Sequence, residues 1–199
     1  MNNLKELFEI QAGLDAEILK NHPVQEGEDR LEKKHAALFS EIGETLNEHR
    51  AFKFWSDDQK PRTEVMCRKC HGEGVLTDIV TFHEKTCDEC QGAGECDYVL
   101  KELVDCLHFI LSIGLELEER WKVDVRNRMY IPYKLEGMTV EGHFIELAVC
   151  DASFSTGRYT ACMNRFIGLS EKLGYTWEQV REAYLIKNQE NHYRQMNGY

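Results

Sequence analysis

Two acidic pairs, Glu41-x-x-Glu44 and Glu102-x-x-Asp105, combine a residue type and a spacing that serve chemistry. Residues three apart share one face of a helix. Two such faces set side by side would gather four carboxylates in a small volume, where they repel one another unless a cation lies between them. Mg²⁺ suits that place, because it takes oxygen ligands and keeps positions for a polyphosphate substrate. Glu48, four residues past Glu44, puts a third carboxylate on the first face and is a candidate outer ligand. Near the C-terminus Lys187, Asn191 and Arg194 recur at helical spacing. They would form a cationic, amide-bearing face able to hold phosphate oxygens. Trp55 and Phe54 follow the first acidic pair and are candidates for a pocket wall, with core packing as the equal alternative.

A third set is built from sulfur. Residues 67–74 read CRKCHGEG and residues 87–94 read CDECQGAG, each a Cys-x-x-Cys-x-Gly-x-Gly. Cys67, Cys70, Cys87 and Cys90 offer the four thiolates of a structural Zn²⁺ site. The paired glycines permit left-handed turns that bring backbone amides toward the sulfurs. Between the knuckles, VLTDIVTF suits a short β-hairpin. The knuckles resemble half of the zinc region of DnaJ-type co-chaperones, but no His-Pro-Asp signature occurs, so no chaperone function follows. Four thiolates close a zinc site to catalysis, which leaves the metal to staple an insertion too small to hold itself together. The module's apolar residues also make it a candidate surface for a protein partner.

These residues need positioning elements, and the apolar periodicity predicts helices. They run over Leu4–Lys20, Asp29–Lys53, Tyr98–Trp121 and Ile145–Leu173, the last open to a bend at Gly157. A final helix from Trp177 to Met196 is announced by Thr176 and Gln179 in a capping-box pattern. Val123 to Gly142 reads as a connection. The fold class is therefore an all-α helical bundle, with residues 1–62 and 98–199 as the catalytic bundle and 63–97 as the inserted zinc module. The helix from Leu100 to Leu117 is apolar on more than one face, which suits a dimer interface.

Acidic residues outnumber basic ones 35 to 24, a net charge of −11. That excludes nucleic-acid backbone as the main partner but not a nucleotide met by a metal. No apolar run approaches a membrane span, and no secretory leader is legible at the N-terminus. A cytoplasmic location is the expectation, and in that compartment eight cysteines suggest metal ligands or buried thiols.

Four stretches taken together resemble the all-α dimeric dUTP pyrophosphatase family, within the MazG-like nucleotide pyrophosphohydrolases. They are FEIQAGLDAEI, the Glu-x-x-Glu helix running on to FKFW, ELVDCLHFILSIGLEL, and the ending KNxxNxxRQxxGY with Tyr199. The zinc insertion departs from the general family pattern. The resemblance implies Mg²⁺-dependent hydrolysis of dUTP to dUMP and diphosphate by a homodimer, with no membrane or nucleic-acid partner. It implies Mg²⁺ on Glu41, Glu44, Glu102 and Asp105, with Glu41, or else Glu44, activating the water. It maps uracil contacts onto Gln11 and Asp15 and phosphate contacts onto Lys187, Asn191 and Arg194. Two rivals follow from the same residues: a pyrophosphohydrolase for another nucleotide such as dCTP, and a non-catalytic, zinc-stabilised adaptor.

Overall fold

The computed structural model describes residues 4–152 and 155–198. Among these residues six helices carry the fold: α1 (Lys5–Asn21), α2 (Arg30–His49), α3 (Tyr98–Trp121), α4 (Val140–Ala148), α5 (Thr156–Lys172) and α6 (Trp177–Met196). Helix α3 is the centre, packed against α1, α2, α5 and α6. Leu103, Leu107, Ile110 and Leu111 are fully buried along it. Gly114 lets its neighbours close in, since a Cβ there would stand 2.4 Å from the Tyr159 hydroxyl and 2.9 Å from Phe8. Much of the many-sided apolarity of α3 is thus spent inside its own chain, with Leu100, Phe109 and Leu115 only partly covered.

Most helices start on a side-chain cap that satisfies orphan backbone amides. Asp29 accepts from the Leu31 amide, Asp97 from Leu100, Thr139 from Gly142 and Ser155 from Arg158. Thr176 and Gln179 form the anticipated capping box of α6. Two helix expectations are corrected. The single helix over 145–173 is two, because Thr139 starts α4 early and Ser155 starts α5 afresh, before Gly157 rather than at it. Helix α2 ends at His49, where Arg50 turns left-handed at φ 66°, so Phe54 lies beyond it and is exposed. The connection from α3 to α4 lies directly on α5. The Tyr133 amide bonds the Asn164 carbonyl at 2.9 Å, and a Cβ on Gly168 would meet the Tyr133 carbonyl at 2.0 Å.

Between α2 and α3 stand four short strands, β1 (Val65–Met66), β2 (Val75–Thr77), β3 (Glu84–Thr86) and β4 (Glu95–Cys96). β1 pairs antiparallel with β4 and β2 with β3, with Val65 opposite Cys96 and Val75 opposite Thr86. The VLTDIVTF stretch does enter a hairpin, but only Val75–Thr77 is strand. Asp78 accepts from the Val80 and Thr81 amides to shape the turn, which leaves Ile79, Val80 and Phe82 in solvent. No helix among the described residues is long and apolar enough to cross a membrane.

Candidate active site

Helices α2 and α3 lie side by side and bring Glu41, Glu102 and Asp105 together, with an oxygen of each within 4.8 Å of the others. Their burial and mutual repulsion are visible in their protonation. Burial, with the charges of Asp105, Glu44 and Glu102, pushes Glu41 up to about 7. Burial and Asp105 push Glu102 up to about 7. Asp105 is also raised, because burial outweighs the lysine beside it. Glu44 faces solvent and accepts from the Ser40 hydroxyl at 3.2 Å, yet its charge still bears on both glutamates.

The only ammonium against this cluster among the described contacts is Lys187 of α6, whose Nζ lies 2.7 Å from Asp105 Oδ2. Both side chains are about 15% exposed. Lys187 opens onto a cleft of about 1340 Å³ between α1, α2, α3 and α6, which Glu41 and Asp105 also line. Asn191 and Arg194 line the same cleft one and two turns farther on, with Arg194 hydrogen-bonded to Glu190. Tyr199 lies outside the described residues.

At the other side of the cleft Gln11 and Asp15 form a locked network. The Gln11 Nε2 donates to Asp15 Oδ1 at 2.7 Å, which turns the amide oxygen toward α3 and α6. That oxygen accepts the Tyr184 hydroxyl at 2.9 Å and faces His108 Nδ1 at 2.8 Å. Since the acceptor is an amide oxygen, Nδ1 must carry the proton. The His108 ring stacks on Tyr184, and burial, reinforced by Lys187, holds its pKa down to about 3. Nε2 is consequently the unprotonated nitrogen, buried and with no hydrogen-bond partner within 3.5 Å among the described residues. The Ser112 hydroxyl donates to Asp15 Oδ2 at 2.6 Å, and Lys34 stands 3.8 Å from the same oxygen.

A family model described as dUTPase matches residues 3–70 and 90–199. The chain belongs to the all-α dUTPase family. Comparison with curated proteins and with solved structures gives no match. The enzyme is a dUTP diphosphatase, a hydrolase acting on a nucleotide. The unmatched stretch 71–89 lies wholly within the cysteine-bearing insertion.

In that insertion of the dUTPase, Cys67, Cys70, Cys87 and Cys90 are buried with their sulfurs mutually within 4.8 Å. Cys67 and Cys87 sulfurs are 3.8 Å apart, and those of Cys70 and Cys90 3.6 Å. A tetrahedron with bonds of about 2.3 Å has edges of about 3.8 Å, whereas a disulfide closes to about 2.05 Å. The donor set fits a metal ion. The Gly74 and Gly94 amides point at the Cys70 and Cys90 sulfurs at 3.2 and 3.3 Å. A Cβ at Gly74 would strike the Gly92 carbonyl at 2.4 Å, and one at Gly94 would strike the Gly72 carbonyl at 2.4 Å. The two knuckles therefore brace each other, and only glycine fits at either contact.

Two other candidates fall away from the dUTPase cleft. Trp55 is 65% exposed and packs edge-on against Phe52 and Phe54, because α2 ends before it. Glu48 is held in a two-armed ion pair by Arg68 and is not among the three clustered carboxylates. Residues that the spacing left unremarked are His108, Ser112 and Lys34. His108 follows Asp105 by three residues, so the periodicity that paired Glu102 with Asp105 also aims His108 into the cleft.

Proposed function

We propose that this dUTPase hydrolyses dUTP to dUMP and diphosphate in the α1–α2–α3–α6 cleft, using Mg²⁺ held by Glu41, Glu102 and Asp105, with Glu44 drawn in. The observation that carries the reading is the three-carboxylate cluster opposite Lys187. Burial first, and the neighbouring carboxylates second, lift two of its acidic groups to about 7, and a hard divalent ion is the occupant that such oxygens fit. Mg²⁺ bound there would supply positive charge to the substrate's phosphate oxygens.

The remaining work belongs to the chain. Glu41, or else Glu44, accepts the proton of the water that attacks the α-phosphorus, since both lie on the α2 face beside the ion site. Lys187 exchanges Asp105 for the phosphates, and Arg194 and Asn191 add charge and a neutral donor as the diphosphate leaves. His108 reads the base. Were the cleft to open at this wall on binding, the buried Nε2 would accept from the N3–H of uracil, while cytosine would present a lone pair at that position. Gln11 and Asp15 hold the His108 tautomer as well as bordering the base. The thymine methyl must be refused sterically, a distinction worth about 1–3 kcal/mol. Zn²⁺ on the four cysteines is structural, the active assembly is a homodimer in which phosphate contacts are shared, and the enzyme works in the cytoplasm.

The experiment is diphosphate release from dUTP, dCTP, dTTP, dATP and dGTP, with Mg²⁺ and with EDTA. Release confined to dUTP and abolished by EDTA supports the reading. Preference for dCTP would remove His108 from base recognition, and EDTA-resistant release would remove the metal.

A further inference from the structure

Among the contacts between the zinc module and the acidic helices, one reaches a carboxylate of the α2 acidic face, through a residue that the proposed reaction does not use. Arg68 lies inside the first knuckle, between Cys67 and Cys70. Its guanidinium donates to Glu48 through both arms, at 2.9 Å to Oε1 and 2.7 Å to Oε2. The same guanidinium lies 4.0 Å from the centre of the Tyr98 ring, and the Arg68 amide donates to the Tyr98 hydroxyl at 2.7 Å. Tyr98 is buried and opens α3, one turn before Glu102. Glu48 lies on α2, one turn after Glu44, and near enough to Glu102 for their charges to repel. Arg68 therefore stands between the end of one acidic helix and the start of the other.

A fork of this kind fixes a carboxylate in direction as well as charge. The guanidinium lies over the Tyr98 face and against Glu48; Arg68 is itself 57% exposed, while Glu48 is only 14% exposed. Glu48 would otherwise be a fifth carboxylate on the rim of the cluster, one helical turn from Glu44, with nothing to keep it from a divalent ion. We propose that Arg68 is a positioning residue by which the zinc knuckle withholds Glu48 from the divalent-ion site. This rests on the reading of Glu41, Glu102 and Asp105 as that site. The insertion then does more than decorate the bundle: it sets how many carboxylates the ion meets, and so how tightly the ion is held.

The test is Mn²⁺ binding to the zinc-loaded protein, read from the electron paramagnetic resonance signal of free Mn²⁺. Asp105→Asn is the control, and an unchanged isotherm there would sink the reading of the acidic site itself. Glu48→Gln should bind Mn²⁺ as the wild type does, within about twofold. Arg68→Ala should bind about tenfold more tightly, since ligand charge count tunes such sites. The double variant Arg68→Ala/Glu48→Gln should return to the wild-type value. A residue that merely held the fold together would weaken binding on removal, not strengthen it, and no second change at Glu48 would restore it. Zinc content is measured alongside. Should Arg68→Ala lose zinc, Arg68→Lys, which keeps the charge but opens the fork, is read instead and should show a smaller rise of the same sign. The proposal is overturned by an isotherm unchanged in the Arg68 variant while Asp105→Asn is impaired. It is equally overturned by weakened binding in Glu48→Gln alone, because Glu48 would then be a ligand already.

Discussion

Replacing Lys187 by methionine isolates the ion-free state of the site. The ammonium is 2.7 Å from Asp105 and both groups are largely buried. At an effective dielectric near 20 such a pair attracts by about 6 kcal/mol, against a desolvation cost of similar order. Losing one partner of a buried pair typically costs about 3–5 kcal/mol. Here Asp105 has an escape, because burial already holds its pKa above the ordinary carboxylate value and it can take up a proton. The expected loss is therefore about 2–3 kcal/mol, or roughly 5–10 °C in Tm for a chain of this size. Differential scanning fluorimetry at pH 7.5 in EDTA reads it directly. Saturating Mg²⁺ should narrow the gap, since the ion then supplies the positive charge the lysine had provided. A Lys187→Met protein melting within a degree or two of wild type in EDTA would refute the idea that Lys187 stands in for the ion.

His108→Phe keeps a ring on Tyr184 but removes the Nε2 acceptor. It should lower kcat/KM for dUTP by about 10–100-fold and dCTP turnover by much less, so an unchanged dUTP/dCTP ratio would contradict the base assignment. The same variant has a signature in pH. With its folded pKa near 3, below the ordinary 6.5, His108 favours folding above pH 6.5. That stability drains at about 1.4 kcal/mol per pH unit as the pH falls from 6.5 toward 3. Urea titrations at pH 7 and 5 should show His108→Phe losing less over that interval than wild type, the raised carboxylates being common to both. In the inserted module the buried residues are little more than the cysteines and Tyr98, so a metal on the four thiolates would carry its folding. One zinc per chain is expected, and chelation should expose residues 67–94 to protease; a metal-free module that resists cleavage would refute this.

The helices and the acidic pairs were legible because their signals are local: a period of 3.6, a capping box at Thr176, an i,i+3 spacing. The cysteine knuckles were legible for the same reason, each half carrying its own glycines. What was not legible depended on who covers whom. The apolar faces of α3 looked available to a second subunit, yet α1, α2, α5 and α6 all pack on this helix and cover most of them. Trp55 looked like a pocket wall until the left-handed turn at Arg50 carried it away from the cleft. Glu48 shares a helical face with Glu44, but its partner Arg68 is 20 residues away and arrives only through the fold of the knuckle. The bare nitrogen of His108 follows from a hydrogen-bond chain reaching back 97 residues to Gln11, which no spacing along α3 contains.

The measurement closest to the central claim is product analysis of dUTP turnover by the wild type and by Glu41→Gln, with folding of the variant checked by circular dichroism. The account predicts dUMP and diphosphate in equal amounts from the wild type with Mg²⁺, and a loss of about 10³-fold in the folded variant, as removal of a proton acceptor entails. Release of dUDP and phosphate, or a folded Glu41→Gln protein that turns over dUTP like the wild type, would contradict it.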